Sequence, residues 1–357
     1  MSDRKTPASL ESSRTAELIK TMPKVELHMH VEGSLEPEQM FALAEKNGLR
    51  LPWKTIDDLK AAYHFKDLAE FVDLFIQGTQ VVKSAEDLYA ITLAYLQKCH
   101  QDNIRHTEVH CDIRTYVDYG YAPEMVIDGI TGAFADAQKN WGITGGMMPC
   151  FIRHLGVEKA EEDLKLLSPY RDRILAIGLA AVEVGYPPAL FTDVFAKARD
   201  LGFRAIAHAG EEGDPSYIWQ AIDDIRVDRV DHGIRCLEDA ELTKTLRQRH
   251  IPLTVCPFSN VALGVFDRLE EHCLPRLLEA GLNVSIHSDD PAFFGGYLTD
   301  NMLGVVDHCG LDLHDLIRMQ YNAIDSSFAD ASRKAGLRGE LDAFVQEHGL
   351  SPVRRSA

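Results

Sequence analysis

The stretch "VELHMHVEGS" (residues 25–34) places His28 and His30 one residue apart at the end of an apolar run, with Glu32 and Gly33 directly after them. Residues i and i+2 of a β-strand point to one face, so a strand over residues 24–30 aims both imidazoles the same way. A lone inward histidine is ordinarily a hydrogen-bonded core residue. Two of them on one face, at the C-terminal end of a strand, favour metal binding.

The rest of the chain supplies a fold for that strand. β-rich runs recur at residues 24–30, 104–112, 146–154, 174–184, 204–208, 229–232, 252–256 and 282–287. Between them lie segments with helical period, among them 37–47, 85–99, 125–139, 188–201 and 274–280. Alternation of this kind implies parallel pairing, and eight units predict an α/β fold closed as a (β/α)8 TIM barrel. An open doubly wound sheet is the alternative, but no G-x-G-x-x-G follows the first strand, so its usual dinucleotide function lacks a fingerprint. Neither an internal repeat nor a low-complexity tract is found.

A chain of 357 residues with 45% apolar content can bury a core of that size. Lys plus Arg number 37 against 55 Asp plus Glu, and a net charge of −18 repels a phosphate backbone, which argues against nucleic acid as a partner. Residues 1–21 read as a polar N-terminal tail without a signal-peptide core, followed by one barrel domain over 22–357. No later stretch reaches membrane-spanning length, so a cytoplasmic protein is expected. Seven cysteines without a C-x-x-C pair argue against both a disulfide framework and a cysteine-type zinc site. The sequence leaves the oligomeric state open, and a homo-oligomer is compatible with it.

The first βα connection is long. In it Leu68, Phe71, Val72 and Phe75 form an apolar helical stripe, expected to pack on the barrel, with its N-terminal end able to roof a pocket. Other predicted strand ends repeat the chemistry of the first. His208 ends "FRAIAH" before "AGEEG", His232 ends "RVDHG", and Asp289 with Asp290 ends "NVSIHSDDP". Taken singly, the two aspartates read as a solvated turn before Pro291, and Glu211 as a helix-start acid. Four such clusters at four strand ends are poorly explained that way. Three histidines and a carboxylate at one barrel mouth suit a divalent ion, zinc above all, and water on such an ion reaches a pKa of about 7 rather than roughly 15.7.

Together "HMHVEGSLEP", "HAGEEG", "VDHGIRCLED", "LTVCPFSN" and "HSDDPAFFGGYL" resemble, in order, the motifs of the adenosine/adenine deaminase family of the amidohydrolase superfamily. The resemblance implies one zinc ion per chain and hydrolytic removal of the 6-amino group of a purine. It matches His28, His30, His208 and Asp289 to the zinc ligands, and Glu211 to the proton donor. His232 matches the histidine beside the metal-bound water, and Asp290 the aspartate that binds the purine. Hydroxide attack at C6 loads negative charge on N1, so a protonated carboxyl there lowers the barrier. Adjacent strand residues point oppositely, so Asp289 and Asp290 both reach the site only if the strand has already ended.

Asp231 stands where the nucleoside branch typically has glycine, which resembles the adenine-type branch. There it would accept the N9–H of a free base or fill the ribose space, while an equal alternative sets it behind a metal ligand or beside Arg229. The pocket departs from that branch elsewhere. Ala180, Ala181 and Val182 replace a more polar run, "EVHCDIRTY" replaces an "FFDPQTH" type of segment, and His287 stands where Asn is common. Ala181 matches a backbone N–H contact to the purine; His110 and His287 are expected in the core or behind the ligands. The expected substrate is therefore adenine, giving hypoxanthine and ammonia, with an N6-substituted adenine, another aminopurine or adenosine as alternatives. A non-catalytic metal- or purine-binding barrel is the alternative from another class. Retention of Glu211, which no zinc site needs as a ligand, argues against it.

Overall fold

Strand β1 (Lys24–His30) pairs in parallel with β2 (Ile104–Cys111), β2 with β3 (Thr144–Ile152), and β3 with β4 (Gly178–Ala180). A second parallel series runs through β5 (Ile206–Ala209), β6 (Arg229–His232), β7 (Pro252–Val255) and β8 (Asn283–Ile286). Backbone bonds join the two series at both ends. Between β4 and β5, Ile177 N donates to Arg204 O at 2.9 Å and Ile206 N to Ile177 O at 3.0 Å. Past β8, His30 N donates to Asp289 O at 2.8 Å and Asp289 N to His28 O at 3.0 Å. The eight strands thus close into the expected (β/α)8 barrel, and one closing seam runs through three of the predicted metal ligands. The computed structural model describes residues 7–350.

The helices form where sequence caps and apolar stripes agree. Helix Pro123–Trp141 starts with proline at its first turn and stops at Gly142, whose φ of 70° is the left-handed conformation that ends helices. Its face Val126, Ile130, Ala133 and Ala137 is buried, each large aliphatic side chain contributing about 1.5–3 kcal/mol. Gly129 in the same helix lets it approach helix Ala85–Gln101: a Cβ there would lie 2.6 Å from Ala85 O.

The structure differs from the sequence expectation in three places. Residues 7–21 carry a helix (Pro7–Thr21) rather than only a polar tail, because Leu18, Ile19 and Met22 share a face that enters the main core. The barrel unit therefore begins before Met22. Of the run 174–184, only Gly178–Ala180 pairs as a strand; Ile174 and Ile177 make single bridges, and Ala181 at φ 71° turns the chain away. In helix Leu68–Thr79 the whole stripe Leu68, Phe71, Val72 and Phe75, not its N-terminal end alone, lines the cavity at the barrel mouth.

Candidate active site

The histidine pair of β1 meets β5 across the mouth. His28 Nε2 lies 3.1 Å and His30 Nε2 3.2 Å from His208 Nε2, and Asp289 Oδ1 lies 3.3 Å from both His28 Nε2 and His30 Nε2. Within this set of four residues the donor atoms all fall within 4.8 Å of one another. Contacts from behind fix two of the rings. His208 Nδ1 lies 3.1 Å from Leu179 O, and His28 Nδ1 3.3 Å from Thr254 O. A carbonyl only accepts, so Nδ1 carries the proton in both rings and Nε2 turns a lone pair to the centre. Lone pairs this close repel one another unless a cation lies between them. The donor set, three imidazoles and a carboxylate, fits a zinc-like ion.

Among the described residues two further groups meet the same spacing, His110 with His208 and Asp231, and His232 with Cys256 and Asp289. Each borrows a residue from the first group. His110 Nε2 is already engaged at 3.0 Å with Asp231 Oδ2, and the other group shares Asp289 with the first, so neither makes a separate four-donor set.

The two adjacent aspartates both reach the cavity because β8 has ended at Ile286 and Asp289 takes φ 63°. Glu26 holds the turn, accepting from Ser288 N at 3.1 Å and Ser288 Oγ at 2.5 Å, while Tyr95 Oη donates to its other oxygen at 2.6 Å. Charge separates the pair. Against the pull of burial, His28, His30 and His232 hold Asp289 well below the usual carboxylate range; burial and the Asp289 charge push Asp290 well above it. Asp290 Oδ1 is buried without a partner among the described residues.

Glu211 lines the cavity, 3% exposed, and its Oε1 has no partner among the described residues. Burial, then the charges of Asp289 and Glu183, push its carboxyl well above the ordinary range and favour its neutral form. Its loop is held by Glu183, a residue the sequence did not single out. One Glu183 oxygen accepts from Gly210 N at 2.6 Å; the other accepts from Glu211 N (3.1 Å), Glu212 N (2.8 Å) and Gly213 N (2.8 Å). Position 213 must be glycine for this, since a Cβ would sit 2.7 Å from Glu183 Oε1.

His232, at φ 64°, lines the same cavity, with Nε2 3.5 Å from Glu211 Oε2 and 3.7 Å from Asp289 Oδ2. Burial lowers it to about 3, so the ring is neutral. Ala181 lines the wall beside Ala180, Ile152, Cys150 and Cys111.

Of the two readings of Asp231, the structure matches the one behind the site, beside Arg229, and not contact with a base. Asp231 is fully buried and does not line the cavity; it lies 3.0 Å from His110 Nε2 and 3.6 Å from Arg229 Nε, and accepts from Thr254 Oγ1 at 2.8 Å. Thr254 Oγ1 in turn is 3.0 Å from His28 Nδ1. Asp231 therefore supports a ligand from behind and does not meet a base. His110 stacks on His30 at 4.6 Å, and His287 accepts from Leu27 N at 3.0 Å, both behind the ligands as expected.

Comparison with known proteins follows the same lines. A family model described as adenosine deaminase matches residues 23–344. The adenine deaminase of Hahella chejuensis (strain KCTC 2396) is 44% identical over 332 residues, covering 93% of this chain and 99% of that protein. That of Pseudomonas putida (strain W619) is 46% identical over 310 residues, covering 87% and 98%. Among solved structures, the adenine deaminase from Arthrobacter aurescens matches with a TM-score of 0.89 at 41% identity, over 91% of this chain and 99% of that one. An amidohydrolase from Burkholderia ambifaria, solved with bound Zn, matches with a TM-score of 0.85 at 25% identity, over 97% and 96%. With a barrel, a four-donor centre and a buried acid arranged along a chain that matches these proteins nearly end to end, this chain belongs to the adenosine deaminase family, on its adenine-type branch.

Proposed function

We propose that this chain is a zinc-dependent adenine deaminase, converting adenine and water to hypoxanthine and ammonia, with one zinc ion per chain. The observation that carries the proposal is the meeting, in one cavity, of four donors within 4.8 Å of one another and the buried carboxyl of Glu211. A purely structural metal site has no use for that acid.

His28, His30 and His208 through Nε2, and Asp289 through a carboxylate oxygen, would hold the ion. When bound, the ion acidifies a water to a pKa of about 7, which makes a nucleophile available at neutral pH. Glu211 gives its proton to N1 as C6 is attacked, so that charge never accumulates on the ring. Asp290, also protonated, meets a ring nitrogen as a hydrogen-bond donor and sets the purine in plane. His232 lies beside the attack position, where it takes the proton of the water or donates a hydrogen bond to its oxygen. The helix Leu68–Thr79 covers the cavity with Leu68, Phe71, Val72 and Phe75 and excludes bulk water.

A second reading, an N6-substituted adenine or another aminopurine, draws on the apolar wall of Cys111, Ile152, Ala180 and Ala181. All seven cysteines are free, which supports a reducing, cytoplasmic setting. The test is ammonia release from a panel of 6-aminopurines, free and ribosylated, plain and N6-alkylated. Adenine should be turned over with the highest kcat/KM. An equal rate with adenosine would sink the free-base assignment.

A further inference from the structure

The two roles open to His232 differ in which ring nitrogen carries the proton, and a chain of hydrogen bonds outside the cavity decides between them. Leu274 N donates to His272 Nδ1 at 3.0 Å, so that nitrogen presents a lone pair. His272 is 4% exposed and burial lowers it to about 4, so the ring is neutral and its Nε2 bears the hydrogen. His272 Nε2 lies 3.1 Å from Asn260 Oδ1 and donates to it. With its oxygen committed there, the fully buried Asn260 turns Nδ2 to His232 Nδ1 at 3.4 Å. An amide nitrogen only donates, so His232 Nδ1 presents a lone pair and the proton resides on Nε2.

We propose that Asn260 and His272 are positioning residues that lock His232 as the Nε2–H tautomer, so that His232 serves the reaction as a hydrogen-bond donor and not as a base. The direction of the chain is set by the Leu274 backbone N–H, the one group in it that cannot reverse. His232 Nε2 faces Glu211 Oε2 and Asp289 Oδ2 at 3.5 and 3.7 Å. From there its N–H reaches an oxygen attacking C6. An Nε2 that bears the hydrogen has no lone pair toward the cavity with which to take a proton from water, so it can only donate there. The proposal rests on the deaminase reading for its kinetic half, whereas the tautomer itself is independent of any substrate.

The decisive variant is Asn260→Asp, which keeps shape but replaces the donor with an acceptor. A carboxylate accepts from His272 Nε2–H and also from His232 Nδ1, which moves the His232 proton to Nδ1 and turns a lone pair into the cavity. The two roles then predict opposite signs. For a donor, kcat should fall about 100-fold, the size expected when one preorganised donor is removed. For a base, kcat should hold or rise. Nitrogen-15 NMR of histidine-labelled, zinc-loaded full-length protein, with the His232 signal assigned by its loss in His232→Gln, reads the tautomer directly. The wild type should show the Nε2–H pattern and Asn260→Asp the Nδ1–H pattern. A wild-type Nδ1–H pattern overturns the proposal even if Asn260→Asp fails to fold, and so does an Asn260→Asp enzyme within threefold of wild-type kcat. If the wild type shows Nε2–H but releases no ammonia from any aminopurine, the deaminase reading fails and the relay stands.

Discussion

Replacing Glu183 by glutamine should damage both stability and turnover, in a pattern fixed by the geometry of its clamp. Glu183 is 1% exposed and its two oxygens take four backbone N–H groups of the loop that carries Glu211. Glutamine offers one oxygen. Turned to the three amides of residues 211–213, it sets its NH2 against Gly210 N–H; turned the other way, it strands three. The first orientation costs one buried donor its acceptor, about 1–3 kcal/mol, and strips charge from the other bonds, which roughly halves their strength. A total on the order of 3–5 kcal/mol follows. Urea denaturation should report that loss. The freed loop also misplaces Glu211, and a shift of about 1 Å at a reacting group costs on the order of 10²-fold in rate. The assay is kcat for adenine beside zinc content by metal analysis, since none of the four ligands lies within residues 210–213. Wild-type kcat and an unchanged urea midpoint in Glu183→Gln would refute the clamp.

Other outcomes follow from the same site. Glu211→Gln should retain zinc and lose about 10²–10⁴-fold in kcat, the range of general acid catalysis. Because the folded protein holds the Glu211 proton more tightly than the unfolded chain does, this group's stability contribution is full at pH below the ordinary carboxylate range. It is lost as pH rises through the raised value. Denaturation of Glu211→Gln across pH should lack that loss, and wild-type kcat/KM should fall on the alkaline side as the acid ionises. Gly33→Ala would place a Cβ 2.0 Å from Asp290 Oδ1 and 2.7 Å from Asp290 Cα, so it should raise KM for adenine at least tenfold, a shift of about 1.4 kcal/mol. Unchanged KM would show that Asp290 does not hold the base. His208→Ala should lose zinc and turnover together, checked by metal stoichiometry after dialysis; retention of one ion per chain would remove His208 from the ligand set.

The elements that were legible in sequence are those with a local pattern. β1 and β6 fall at the predicted residues, each ending in histidine, and His28 and His30 announce themselves by their i, i+2 spacing on a strand. The run 174–184 looked like one long strand because its side chains are apolar from Ile174 to Val182 and Glu183 alone interrupts them. Only the positive φ at Ala181, invisible in composition, shows where it stops. Sequence left Asp231 between the base and a place behind the ligands because His110 and Thr254, which hold it, come from other strands and meet it only on barrel closure. Glu183, Glu26, Asn260 and His272 carried no signal for a related reason. Each acts on backbone or side chains brought to it by barrel closure: Glu183 reaches 27 residues along to Gly210, and Glu26 spans 262 to Ser288.

The most direct measurement is the ultraviolet spectrum of adenine incubated with the full chain carrying one zinc ion, followed alongside the zinc-loaded Glu211→Gln protein. Conversion to the hypoxanthine spectrum with stoichiometric ammonia, abolished in the variant while its zinc remains, is the expected result. An unchanged adenine spectrum in the zinc-loaded wild type, or undiminished conversion by Glu211→Gln, would contradict the joining of a four-donor metal centre and a buried acid in one deaminating site.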